Sequence, residues 1–398
     1  MWNHDMKQKN LVAALLLCSL IAATPASAQI ARLGQTFLVW NGLSRGSDVA
    51  FDTRNGVYLV VAAHGALVGR FVTADGVLVG DPFVLQAAAG FAQFPHVAYS
   101  ADANNGAGAF LVSWHESDGA IPSLHVRMVT YPGGPIGADK KIVGNDTYWE
   151  VMGAPIAYST VSHEFLVVWR QYSDTNIFGL RLNLNGDPIG GAIPVAATPV
   201  FESDPSLTYN PALDEFFVVY RHGFGTVNIM GQRIKAGTGE MLGGPKVLGQ
   251  ASTVNTTGVT YNHSTAQYLA AWHQMPGDAI FGRVIAGDGS PLSNITPLST
   301  RYGTYDSLSV DAAVASGTSL LVGHDKLSVE DGGVEVNAPG VPQSTGMQLT
   351  GAGGSGNFYP RVRSHGSKSE WMMAAANQLP KSKLGPFWCL KRNAGITG

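Results

Sequence analysis

The chain has 398 residues, 45% hydrophobic and only 13% charged, with a formal net charge of −3 and 49 glycines. That charge balance excludes a general attraction to nucleic acid or to an anionic membrane surface. Abundant glycine with few charges suits a turn-rich β protein rather than a helical one.

At the N-terminus Lys7 and Lys9 precede the apolar run LVAALLLCSLIAA (11–23), and the segment closes on Ala26, Ser27 and Ala28. A basic start, a short apolar centre and an A-x-A site predict a secretory signal peptide over 1–28, cut before Gln29. The run is shorter than the roughly 20 residues of a spanning helix, so no membrane span is expected. Residues 29–398 are expected to form one domain in the periplasm or outside the cell. Cys18 falls in the leader, which leaves Cys389 alone and rules out an intrachain disulfide. A secreted chain without disulfides relies on a large core or a closed architecture.

Beyond the leader the chain repeats itself. One unit, 155–191, reads PIAYSTVSHEFLVVWRQYSDTNIFGLRLNLNGDPIGG. It divides into a small apolar strand (IAY), a longer and wholly apolar one (EFLVVW), an alternating one carrying an arginine (NIFGLRLN) and a fourth after Asn185 and Gly186. Similar turns occur at Asp75-Gly76 and Asp288-Gly289, and such pairs predict hairpins in which both central residues take positive φ. The aromatic closing the first strand recurs as Phe51, Tyr99, Tyr158, Tyr209 and Tyr261, with weaker copies at Val310 and Ser364. A period of roughly fifty residues with four strands per unit predicts an all-β fold, a seven-bladed β-propeller of four-stranded antiparallel blades. A solenoid is the second reading, but neither end of the chain looks like a cap. GQTFLV (34–39) resembles the fourth-strand segment GDPFVL (80–85), and the chain ends soon after a third-strand candidate, FWCLKR (387–392). An N-terminal strand is therefore expected to complete the last blade and close the ring, which removes two open sheet edges.

After the wholly apolar second strand stand Ala63, His115, Arg170, Arg221, His273, His324 and Ala376, with His64 and His222 one place further on. His96 and Arg361 begin their first strands and should share that edge. The expected ligand set is His115, Arg170, Arg221, His222, His273, His324 and Arg361, a basic mouth for an anionic or polyhydroxylated polymer. The bland reading is a polar strand end copied by duplication. Arg70, Arg127, Arg181, Arg233 and Arg283 share one third-strand position, far from the axis, and are expected to be structural. The sequence has no nucleophile elbow, H-E-x-x-H helix, Walker loop or EF-hand loop. No metal ligand and no cofactor are expected from it, a divalent cation being left open.

The pattern P-x-V/I-A-Y … F-L-V-V-W … I-x-G-x-R … G-x-P-x-G, best seen over 155–190 and 205–243, resembles the repeat of secreted bacterial β-propeller proteins. The resemblance implies the fold and no activity. Sialidase S-x-D-x-G-x-x-W boxes, WD dipeptides and kelch motifs are missing. The expected function is binding of an extracellular polymer, a polysaccharide first among them, through the His/Arg face. The alternatives are a polysaccharide lyase, with His96, His115, His273 or His324 as base and Arg170 and Arg221 neutralising a uronate, and a structural surface protein.

Overall fold

EFLVVWR forms the strand Glu164–Arg170, and all seven of its residues are buried. A strand without a polar side must be covered on both faces, which requires a sheet between two other sheets. The computed structural model describes residues 30–32, 46–64, 66–86, 91–117, 121–148, 153–275, 277, 279–300, 308–325, 330–343, 347–348, 357–377 and 388–392. Its sheets are antiparallel and four-stranded, and they are the blades of an all-β propeller. Blades one to six each use four consecutive strands, within 47–86, 91–143, 156–196, 202–251, 253–299 and 308–348. In a further sheet Asn357–Ser364, Glu370–Asn377 and Trp388–Arg392 are joined by Ile30–Arg32, which pairs Ile30 with Arg392 and Arg32 with Leu390. This sheet packs Met372 and Ala374 against Tyr58 and Val60 of blade one. It packs Trp371 and Met373 against Leu320 and Val322 of blade six. The strand expected at 34–39 and the leader expected at 1–28 lie outside the described residues.

Within blade three, Tyr158 lies opposite Phe165 and Trp169 opposite Phe178. Where an aromatic closes the second strand, it packs back on the preceding blade. Trp169 joins Leu111, Leu124 and Val126 of blade two, Tyr220 joins Leu166 and Val168 of blade three, and Trp272 joins Phe217 and Val219 of blade four. The residue after each first-strand aromatic caps the turn that follows. Asp52 accepts from the amides of Arg54 and Asn55, Ser159 from those of Val161 and Ser162, and Asn210 from those of Ala212 and Leu213. These Asx and Ser turns fix where the second strand starts.

The expected two-residue turns are replaced by a related geometry. In Asn185-Gly186 only Gly186 has positive φ (77°), and the Asn183 amide donates to the Asp187 carbonyl at 2.8 Å. The same arrangement occurs at Gly76 and Gly289. A turn with a single left-handed glycine is one residue longer than the expected hairpin and needs no strain at the Asx residue.

The third-strand arginines are joints, as read from their position. Arg70 and Arg127 donate through Nε to the carbonyls of Gly80 and Gly137, both at 3.0 Å. Each acceptor is a left-handed glycine where the fourth strand bulges out of register. Arg127 also reaches the Leu85 carbonyl of blade one, Arg181 the Gly237 carbonyl of blade four, Arg233 the Asp288 carbonyl and Arg283 the Leu248 carbonyl. Arg181 holds Glu164 in a fork at 2.9 and 2.6 Å, and Arg233 holds Glu215 at 2.7 and 2.8 Å. The Glu164 side chain is only 3% exposed, so it depends on that partner. Arg181→Ala, which leaves the carboxylate buried without its counter-charge and with only the Gly237 amide donating to it, is expected to cost about 3 kcal/mol in urea unfolding. Adding Glu164→Gln to it should recover most of the loss, and equal destabilisation by the single and double variants would contradict this account.

Candidate functional site

The first strands of neighbouring blades surround the axis, and the edge where they begin is called upper here. Near that edge they are bulged. Register shifts fall between Gln93 and His96, Ser203 and Ser206, Val254 and Thr256, and Phe358 and Arg361. Phe94 and Asp204 take the left-handed conformation there, with φ of 47° and 51°. A bulge re-aims the residue after it, and so His96, Ser206 and Arg361 come together with Asp48 around a narrow axial cavity of ≈ 50 Å³. Asp48 is 1% exposed and accepts from the amides of Val49 and Val97, and His96 Nδ1 lies 3.3 Å from its carboxylate. Burial opposes its charge, but the hydrogen bond from His96 and the charges of Arg363 and Arg361 outweigh it and hold Asp48 below the usual carboxylate range.

The remaining basic residues share the upper edge of their blades without forming an open ring. His115 and His273 have no exposed surface, and His324 and Arg170 are 4% and 7% exposed. Thr147 spends its hydroxyl proton on the Pro122 carbonyl, so it accepts from His115 Nδ1 at 3.0 Å. Burial and the neighbouring His96 lower the His115 pKa to about 4. His324 Nδ1 is 3.1 Å from Asp331, which is itself fully buried. The rings of His115 and His273 thus lie beneath the surface, and His96 and His324 each face a carboxylate. Arg221 reaches Asp204 at 2.8 Å, and His222 lies 3.8 Å from Glu202. Both stay half-buried at the surface. The side chain of His64 lies outside the described residues.

What the upper edge does present is aromatic. Tyr148 and Tyr172 stack with ring centres 5.9 Å apart and planes 18° apart. The Arg170 guanidinium sits 4.0 Å above the Tyr148 ring and 4.4 Å from the Phe201 ring. Phe201 in turn lies 4.2 Å from Phe224. Tyr148, Tyr172 and Phe224 are 37%, 47% and 73% exposed. The five residues make a track from blade three to blade four, with Arg170 locked in its middle by two cation–π contacts. Polar groups border it. Ser173 donates to Asp146 at 2.9 Å, and Thr198 donates to Glu202, whose pKa is raised by burial against that hydrogen bond. The period of the sequence marks Arg170 but none of these rings, because they stand in the connections between strands. The signal available was local: an aromatic in the connections that flank two neighbouring blades.

At the lower end the channel opens into a larger cavity of ≈ 360 Å³ lined by Tyr99, Tyr158, Tyr209, Asp102, Asp311 and Arg363. Tyr158 donates to Asp102 at 2.5 Å and Tyr209 to Asp214 at 2.9 Å. The phenols of Tyr158 and Tyr209 are thus committed within the fold. Arg363, 3.6 Å from Asp311, lines this cavity and the narrow one above it.

No protein-family model matches the chain, and no curated protein sequence does. Solved structures do resemble it. The BP39L lectin from Burkholderia pseudomallei superposes with a TM-score of 0.66 at 14% identity, over 88% of this chain and 97% of the lectin. The Cps50 (Swd1) β-propeller domain of Myceliophteria thermophila gives 0.53 at 10% identity, over 91% and 99%. AofleA from Arthrobotrys oligospora gives 0.52 at 10% identity, over 78% and 88%. At such identities the likeness establishes the propeller fold. Among the described residues no helix is long and apolar enough to cross a membrane.

The buried imidazole of His115 makes a prediction about pH. Its folded pKa of about 4 lies below the ordinary 6.5, so the unfolded chain binds the proton first. Stability is therefore expected to fall as pH drops from about 6.5 towards 4, on the order of 1 kcal/mol per unit from this group. Denaturant midpoints for wild type and His115→Asn across that window test it, the variant being expected to show the shallower slope. Equal slopes would remove His115 as the cause.

Proposed function

We propose that the protein is a secreted carbohydrate-binding propeller and that an extracellular polysaccharide lies along the aromatic track. The observation that carries this reading is the exposure of Tyr172, Tyr148 and Phe224 in one unbroken succession of contacts through Arg170 and Phe201. Isolated exposed rings are ordinary, whereas a continuous exposed apolar patch marks an interaction surface. Sugar rings offer C–H faces that pack on aromatic faces, and their hydroxyls need a border of fixed donors and acceptors. Asp146, Ser173, Thr198 and Glu202 supply that border. Arg170, Arg221 and His222 belong to this surface, while His115, His273 and His324 hold their strand ends beneath it. The lectin among the structural neighbours supports the ligand class through its fold alone. Secretion rests on the N-terminal sequence.

The test is to mix the purified protein with neutral, uronic and sulfated polysaccharides and follow each polymer by size-exclusion chromatography. One polymer is expected to elute earlier with protein attached. Tyr172→Ala and Phe224→Ala should each weaken that binding at least about tenfold, equivalent to about 1.4 kcal/mol, without moving the thermal midpoint. A polymer reduced to smaller size would replace the binding module with a depolymerase, and unchanged affinity in both variants would place the ligand elsewhere.

The same reading makes the sheet containing Ile30–Arg32 the seventh blade, with that strand as the closure of the ring. Support comes from its pairing with Trp388–Arg392 and its packing between blades one and six. A chain beginning at residue 33 instead of 29 would leave an open edge. It is expected to show a lower thermal midpoint and concentration-dependent association in sedimentation. An unaltered midpoint would show that the strand closes nothing.

A further inference from the structure

Three side chains on the outer half of blade two converge with no part in the polysaccharide surface. Glu116 lies near the end of Ala109–Ser117, His125 in Ser123–Thr130 and Asp139 in Gly134–Val143. Trp114 pairs with His125 and Glu116 with Ser123, so these four share one face of the sheet. His125 Nδ1 is 3.2 Å from Asp139 Oδ2 and 3.9 Å from Glu116 Oε2. One ligating atom from each residue falls within 4.8 Å of the other two.

The other ring nitrogen of His125 has a partner of its own: Ser123 Oγ lies 3.0 Å from Nε2 and 3.3 Å from the Glu116 carbonyl. In the tautomer with the hydrogen on Nε2, Ser123 accepts it and Nδ1 turns a lone pair towards the two carboxylates. Three electron-rich atoms then meet at one point, and a cation between them stabilises the group. Their spacing fits one ion, since ligands at about 2.1 Å in a tetrahedron stand about 3.4 Å apart. The supports that a metal centre needs are also present. Ser123 stands within hydrogen-bond reach of Nε2, and the indole of Trp114, fully buried, donates to Glu116 Oε2 at 3.1 Å.

We propose that Glu116, His125 and Asp139 bind a divalent transition metal, with zinc as the reference ion. One nitrogen and two carboxylate ligands suit zinc or manganese, and three protein ligands leave coordination open to water or to a ligand oxygen. Bound metal would tie the second, third and fourth strands of one blade together.

The experiment is calorimetric titration of chelator-treated full-length protein with zinc chloride. One saturable site per chain is expected, and its affinity should fall at least tenfold in His125→Gln and in Asp139→Asn. Near-UV circular dichroism confirms the fold of each variant. Asp139 is 40% exposed at its side chain, so Asp139→Asn carries the test should His125→Gln fail to fold. A second readout is the ¹⁵N shift of His125 Nδ1, expected to move on zinc addition while Nε2 keeps its hydrogen. No saturable binding, or binding unchanged in Asp139→Asn, would mean a histidine hydrogen-bonded among carboxylates and no metal site.

Discussion

Everything in this structure depends on a second strand with no side that tolerates water. Glu164–Arg170 is buried along its full length, and the same holds for most of each equivalent strand. A sheet with such a strand cannot stand at the end of a stack. Trp169, Tyr220 and Trp272 meet this need by reaching back into the preceding blade, so the apolar contact that buries a strand also sets the spacing of its neighbour. The polar groups that remain are then forced to the edges of the blades, and there the candidate sites lie.

Those edges treat charge in two ways. At the axis the bases are answered by acids within the fold. Asp48 is placed among His96, Arg361 and Arg363, and Asp311 lies 3.6 Å from Arg363, so two carboxylates answer two guanidiniums around a cavity too small for a sugar. On the outer part of the upper edge Arg170 is answered by rings instead. Its guanidinium lies against Tyr148 and Phe201, a contact that holds the rings in line and leaves Tyr172 and Phe224 facing solvent. An arginine whose charge is spread over two aromatic faces orders a surface without drawing a counter-ion into it.

Much of the fold was legible in the sequence because it is written as a period. The first-strand aromatics, the wholly apolar second strands and the third-strand arginines each recur, and recurrence separates packing from accident. The His/Arg edge was legible only as a set of positions. Whether a residue at a strand end meets solvent depends on the connections passing over it, and Thr147 closing on His115 belongs to such a connection. The bulges that turn His96 and Arg361 to the axis could not be foreseen either. The one before His96 hinges on left-handed backbone at Phe94, a residue whose type gives no hint of it. The aromatic track escaped for the opposite reason, since Tyr148, Tyr172, Phe201 and Phe224 belong to no repeat. Individuality of this kind is what a binding surface needs and what a periodic reading discards.

The arginine joints have a consequence for how such a molecule arises. Arg127, Arg181, Arg233 and Arg283 each cross to another blade, and every crossing ends on a main-chain carbonyl. A carbonyl is present whatever side chain its residue carries. A gene segment encoding one blade, once duplicated, therefore carries both halves of the joint, and later drift in the accepting copy cannot erase its half. Copies can diverge in their connections, as the aromatic residues of blades three and four have done, while remaining fitted to one another from the moment of duplication.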